Sequence, residues 1–131
     1  MSTACNATAR PLCAAAMLDG CERLYVIVRT DLTPGRQAAQ LGHAVALFAL
    51  AHPRELLAWG NRTIAVLGVD NERHLDRVRD DLGIDGAEVS AVVQEPDYTP
   101  GRIERTAFVA RPGAPPAAYH ALRKLSPILA P

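Results

Sequence analysis

From residue 23 onward the chain is built of short blocks with two kinds of pattern. RLYVIVRT (23–30), TIAVLGV (63–69), AEVSAVVQ (87–94) and RTAFVAR (105–111) are compact apolar runs rich in β-branched residues, as in strands covered by helices on both faces. PGRQAAQLGHAVALFALA follows Thr33, a candidate N-cap, and puts Pro34 at the first helical position, which predicts a helix from about 34 to 51 that stops before Pro53. RELLAWG predicts a shorter helical piece ending at Gly60. After Asp70, read as an N-cap, NERHLDRVRDDLG places Leu75, Val78 and Leu82 at i, i+3 and i+7, the spacing of an amphipathic surface helix. The charges of residues 72–81 read as its solvated face.

EPDYTPGRIE is dense in turn residues and predicts a loop joining the last two strands, while PPAAYHALRKL predicts a closing helix begun by Pro115 and Pro116. Alternating strand and helix, followed by a hairpin-like pair, predicts a single α/β domain: a mixed four-stranded sheet flanked by helices on both faces. Residues 1–20 are small, polar and Ala-rich without a period, and read as a flexible N-terminal extension to a domain spanning 21–131. The longest apolar runs are too short to span a bilayer, so no membrane partner is expected.

Composition narrows the classes of function. Apolar residues make up 49% and charged residues 21% of the 131, as in ordinary globular proteins. Fourteen Lys and Arg balance fourteen Asp and Glu, so no overall positive field draws in nucleic acid, and such binding would need a local basic patch. Arg29, Arg36, Arg102, Arg105 and Lys124 are the residues that could form one. Cys5, Cys13 and Cys21 are odd in number and lack metal-type spacing, so they read as free thiols in a reducing, cytoplasmic compartment. His52, His74 and His120 show no convincing metal spacing either.

Within the 34–51 helix, Arg36, Gln40 and His43 follow i, i+4 and i+7 and so share one narrow face in an otherwise small and apolar run. Plain structural roles exist for each. Arg36 could pair with Asp31, Gln40 could satisfy buried backbone groups, and His43 could be a hydrogen-bonded core histidine. The turn from the first strand into this helix is also the usual ligand position in open α/β sheets, with unpaired N–H groups offered to an anion and a forked guanidinium beside them.

VIVRTDLTPGRQAAQLGHAVALF resembles the opening strand, loop and first helix of the type II peptidyl-tRNA hydrolases of archaea and eukaryotes. Arg29, Asp31, Leu32, Gly35, Ala38, Ala39, Gln40, His43 and Ala44 match the family pattern in order, and a looser likeness continues over about residues 23–125. The resemblance implies a mixed four-stranded sheet, often in a homodimer, and hydrolysis of the ester joining a peptide to the terminal ribose of tRNA, with no metal or organic cofactor. Two positions depart from the pattern. Arg36 stands where the family has Lys, keeping the charge but presenting a flat fork that does not readily lose a proton. In EPDYTPGRIERT, either Glu95 or Asp97 stands in for the family's acid, with Asp97 favoured; Thr106 and Thr99 are candidates for its site threonines.

Ester cleavage needs a directed water and a stabilised oxyanion. On this likeness Asp97 or Glu95 would direct the water, Arg36 and the Thr106 hydroxyl would stabilise charge, and Gln40 and His43 would position them. Asp31, Gly35, Glu95, Tyr98, Thr99 and Arg102 would line the substrate, with Tyr98 a candidate to stack on a terminal base. The same residues permit two other functions: an enzyme on this scaffold acting on a small acyl or peptide substrate, or a binding protein without turnover.

Overall fold

The computed structural model describes residues 24–58, 64–111, 122 and 125–127. Its elements are β1 (Leu24–Arg29), α1 (Pro34–Ala51), α2 (Pro53–Ala58), β2 (Ile64–Val69), α3 (Glu72–Ile84), β3 (Glu88–Val89), β4 (Gln94–Thr99), β5 (Arg102–Arg105), β6 (Ala107–Arg111) and β7 (Ser126–Pro127). β1 is central. It runs parallel to β2 from Leu24↔Ile64 to Arg29↔Val69, and antiparallel to β6 from Tyr25↔Ala110 to Val28↔Ala107. β3 adds to the far side of β6 and β7 to the far side of β2, giving the order β3-β6-β1-β2-β7. The mixed four-stranded sheet read from the sequence is β3-β6-β1-β2, and the two-residue β7 extends it by one edge.

The two faces of β1 explain why its sequence has no polar alternation. Leu24, Val26 and Val28 pack with Ala44 and Phe48 of α1, while Ile27 packs with Leu75 and Leu82 of α3. Full burial of each such side chain contributes about 1.5–3 kcal/mol, so a strand covered by a helix on each face gains from every residue. α1 begins as its sequence predicts. Pro34 occupies its first turn, and the Thr33 hydroxyl accepts a hydrogen bond from the Arg36 N–H at 3.3 Å.

Four local expectations are corrected. The cap of α3 is Asn71, whose Oδ1 accepts from the His74 N–H at 2.9 Å; Asp70 instead gives its own N–H to His74 Nδ1 at 3.0 Å. The run 87–94 is not one regular strand, because only Glu88 and Val89 are laddered. Past them the Ser90 side chain enters the pairing, its Oγ accepting from the Val109 N–H at 2.8 Å, and contact with β6 resumes where the Val93 N–H donates to the Ala107 carbonyl at 2.8 Å. EPDYTPGRIE, expected as a loop, forms most of a separate two-stranded ribbon, β4–β5, and the expected strand 105–111 is split at Thr106 between that ribbon and the main sheet.

The N-terminal extension, the Gly60 helix end and Lys124 lie outside the described residues. Of the expected closing helix, Leu122 is helical and buried in the core on the α3 side. No helix among the described residues is long and apolar enough to cross a membrane.

Candidate active site

The ribbon stands beside the N-terminal half of α1, and its own irregularity aims its side chains. Glu95 pairs with Glu104 and Thr99 with Arg102, so Pro96, Asp97 and Tyr98 together oppose Ile103. Such a bulge bends the strand and re-aims what it carries, and Pro96, which has no N–H to offer a ladder, suits it. The ribbon closes through Pro100 and Gly101, whose φ of +74° is the left-handed conformation that glycine adopts freely at the third position of a type II turn.

Gln40 is the hub of the contacts between helix and ribbon. Its side chain is fully buried. Its Oε1 accepts a hydrogen bond from the Thr106 hydroxyl at 2.5 Å, and its Nε2 donates to Glu95 Oε1 at 3.0 Å and meets the Tyr98 hydroxyl at 2.8 Å. One turn earlier, the exposed Arg36 guanidinium lies over the Tyr98 ring, 4.1 Å from its centroid, a cation–π contact. Arg36 and Gln40 therefore reach the same phenol from above and beside it. The other Glu95 oxygen accepts from the Asp97 N–H at 3.2 Å. Glu95 is half-buried and held at both oxygens, whereas Asp97 is exposed and its carboxylate has no hydrogen-bond or ion-pair partner among the described residues.

Toward β1 and α3 the contacts of the ribbon are ionic. Arg29 forks onto Asp31 at 2.8 and 2.9 Å, and its Nη1 donates to Glu104 Oε1 at 2.7 Å. Glu104 Oε2 accepts from the Thr99 hydroxyl at 2.6 Å. Arg105 forks onto Asp76 of α3 with both contacts at 2.8 Å and donates its backbone N–H to Glu72 at 2.8 Å, while Arg102 hydrogen-bonds the same Glu72 carboxylate. These contacts set the protonation equilibria. The Thr99 hydroxyl and then Arg29 hold the Glu104 carboxyl below its ordinary range despite burial. Burial pushes Glu72 up, but the Arg105 N–H and the two guanidiniums outweigh it and the net shift is downward. Arg29 is raised, chiefly by Asp31.

Several assignments made from the sequence are thereby revised. Arg36 does not pair with Asp31, which Arg29 occupies. Gln40 bonds three side chains rather than backbone groups. His43 is exposed, with no hydrogen-bond or ion-pair partner among the described residues, so it is not a core histidine. Thr106 is fully buried and reaches the site only through Gln40. Gly35 lies on the exposed first turn, where an added Cβ would meet nothing within 4 Å. Thr99 and Arg102 belong to the ionic side. The face of α3 is not simply solvated, since Glu72 is buried and both Glu72 and Asp76 reach the ribbon.

Of the described arginines expected to form a basic patch, Arg29, Arg102 and Arg105 are paired with carboxylates, and Arg36 alone has no ion-pair partner among the described residues. Glu104 had no role in the sequence reading; its only signal there is two-residue spacing from Arg102 on a strand, which many solvated strands share. An open cavity lined by His74, Arg77, Val78, Asp81, Ile84 and Leu125 lies on the outer side of α3 and includes none of the candidate residues. Among the described residues no group of His, Cys, Asp and Glu is arranged to hold a metal ion. No family model matches the chain, and no curated protein matches it.

Proposed function

We propose that the chain is a cytoplasmic carboxylic ester hydrolase that cleaves the bond between a peptidyl group and the terminal ribose of tRNA. The observation that carries this reading is the Gln40 carboxamide, which ties a hydroxyl, a carboxylate and a phenol together beneath an exposed guanidinium at the mouth of α1.

In this reading Glu95 is the acid that directs water. A carboxylate fixed through both oxygens keeps further lone pairs for a water proton and is set in one orientation, which general-base catalysis requires. Water attacks the ester carbonyl carbon and its proton passes to Glu95. The Arg36 guanidinium faces the charge that grows on the carbonyl oxygen. The carbon–oxygen bond to the ribose then breaks, the ribose oxygen takes up the proton from Glu95, and a free carboxylic acid and a free hydroxyl leave.

A second reading, hydrolysis of a small acyl or peptide ester at the same groups, is favoured by one specific observation. The carboxylates around Arg29, Arg102 and Arg105 neutralise what would have been the cationic track for a tRNA backbone.

The test is release of the acyl group from a purified N-blocked aminoacyl-tRNA, run beside a small N-blocked amino-acid ester. The first reading expects turnover on the tRNA ester that weakens steeply with added salt, falling about 10²-fold in Glu95→Gln and by a similar factor in Arg36→Ala. Arg36→Lys in the same assay separates the need for a charge from the need for a flat fork. Turnover on the small ester alone would move the assignment to the second reading. No turnover on either ester would overturn both.

A further inference from the structure

Glu95 has a second carboxylate directly across the ribbon. The register pairs it with Glu104, and cross-strand partners project from the same face, where like charges repel. What makes the pair tolerable is chiefly Arg29, which reaches from the end of β1 to bind Glu104 Oε1 while its other edge holds Asp31, with Arg102 farther off at 3.7 Å. The remaining Glu104 oxygen is taken by the Thr99 hydroxyl. Glu95 and Thr99 are the two ends of the bulge, so Glu104 is joined to one end by register and to the other by a hydrogen bond. The three residues between those ends face a single partner, and regular ladder bonds cannot set their shape.

We propose that Glu104 is a positioning residue: clamped by Arg29, it sets the span of the bulge so that Glu95 and Tyr98 reach Gln40 together. Only the kinetic part of this inference rests on the hydrolase reading. The geometric part concerns Gln40 and can be read without substrate.

The test uses the full chain with two substitutions. Glu104→Gln keeps the shape but removes the charge that Arg29 binds, and its amide NH2 can meet the Thr99 hydroxyl only as a neutral donor, so both charge-assisted bonds of the clamp weaken. Thr99→Val removes the other half of the clamp and leaves the Arg29 pair intact. The side-chain amide protons of Gln40, bonded to Glu95 and Tyr98, are followed by NMR. Both variants are expected to move these signals toward those of a free carboxamide and to speed their exchange roughly tenfold or more, because the bonds open more often. On the tRNA ester, kcat is expected to fall about tenfold with KM little changed, the signature of a contact that matters in the transition state.

Gln40 signals unchanged in folded Thr99→Val would overturn the inference, even if Glu104→Gln does not fold. Gln40 signals that respond while the unmodified chain turns over neither ester would uphold the positioning role and overturn the hydrolase reading.

Discussion

The β4–β5 ribbon is held by different chemistry toward its two sets of neighbours. Toward α1 the contacts run through a buried amide, a hydroxyl and a phenol, with Glu95 as the one carboxylate. Toward β1 and α3 they run through three arginines, Arg29, Arg102 and Arg105, and four carboxylates, Asp31, Glu72, Asp76 and Glu104. An amide donates and accepts at once, so Gln40 joins its neighbours without neutralising any of them, and Glu95 keeps its charge available. Each carboxylate opposite is committed to a cation. One side holds and the other is left able to react.

The largest effect expected from breaking this contrast is Arg29→Ala. Removing one partner of a buried pair leaves Glu104 charged with only the Thr99 hydroxyl and the half-exposed Arg102, 3.7 Å away, to compensate it, which costs about 3 kcal/mol, read as a lower urea midpoint with unchanged slope. Acidification comes next and should act on the ionic side. Glu72 and Glu104 have folded-state pKa values below their ordinary 4.5, so they stabilise the fold fully above that range. That contribution is lost as pH falls below 4.5 through the lowered folded values. The melting temperature should drop over that window, and the drop should shrink in Glu104→Gln.

Gln40→Leu probes the amide side at nearly constant volume. It leaves the Thr106 hydroxyl without its short acceptor and should destabilise by about 1–3 kcal/mol in the same urea titration, with little dependence on pH between 5 and 8. The smallest effect is Tyr98→Phe. The ring that supports Arg36 stays and one hydrogen bond to Gln40 is lost, so stability should fall by about 1 kcal/mol in thermal unfolding.

How far the sequence reveals this arrangement depends on the range of the forces involved. β1, β2 and α1 are written locally: LYVIVR has no polar alternation because both its faces are covered, and Thr33 with Pro34 marks the start of the helix. The choice of Asn71 over Asp70 as a cap turns on where one turn begins, which two adjacent cap-forming residues cannot decide. The ribbon is hidden because proline, glycine and charged residues mask its strands, and its bulge breaks the period of two by which strands are recognised. Gln40 stands out in sequence as a polar residue in an apolar run, but its partners are 55 to 66 positions away. Glu95 and Asp97 are alike in the sequence as candidate acids, and only the bulge, which carries no sequence mark, ties the Glu95 carboxylate into the network and leaves the Asp97 side chain outward. The Arg29–Glu104 pair spans 75 positions and carries no local mark.

Neither border of a two-stranded ribbon is paired with a further strand, and a straight unpaired border invites a neighbouring molecule to add itself and begin a fibre. Here the border formed by β4 is crooked, lacks a donor at Pro96 and carries Asp97 on its outside. The distortion that turns Tyr98 inward thus also guards the molecule against sticking to its own kind.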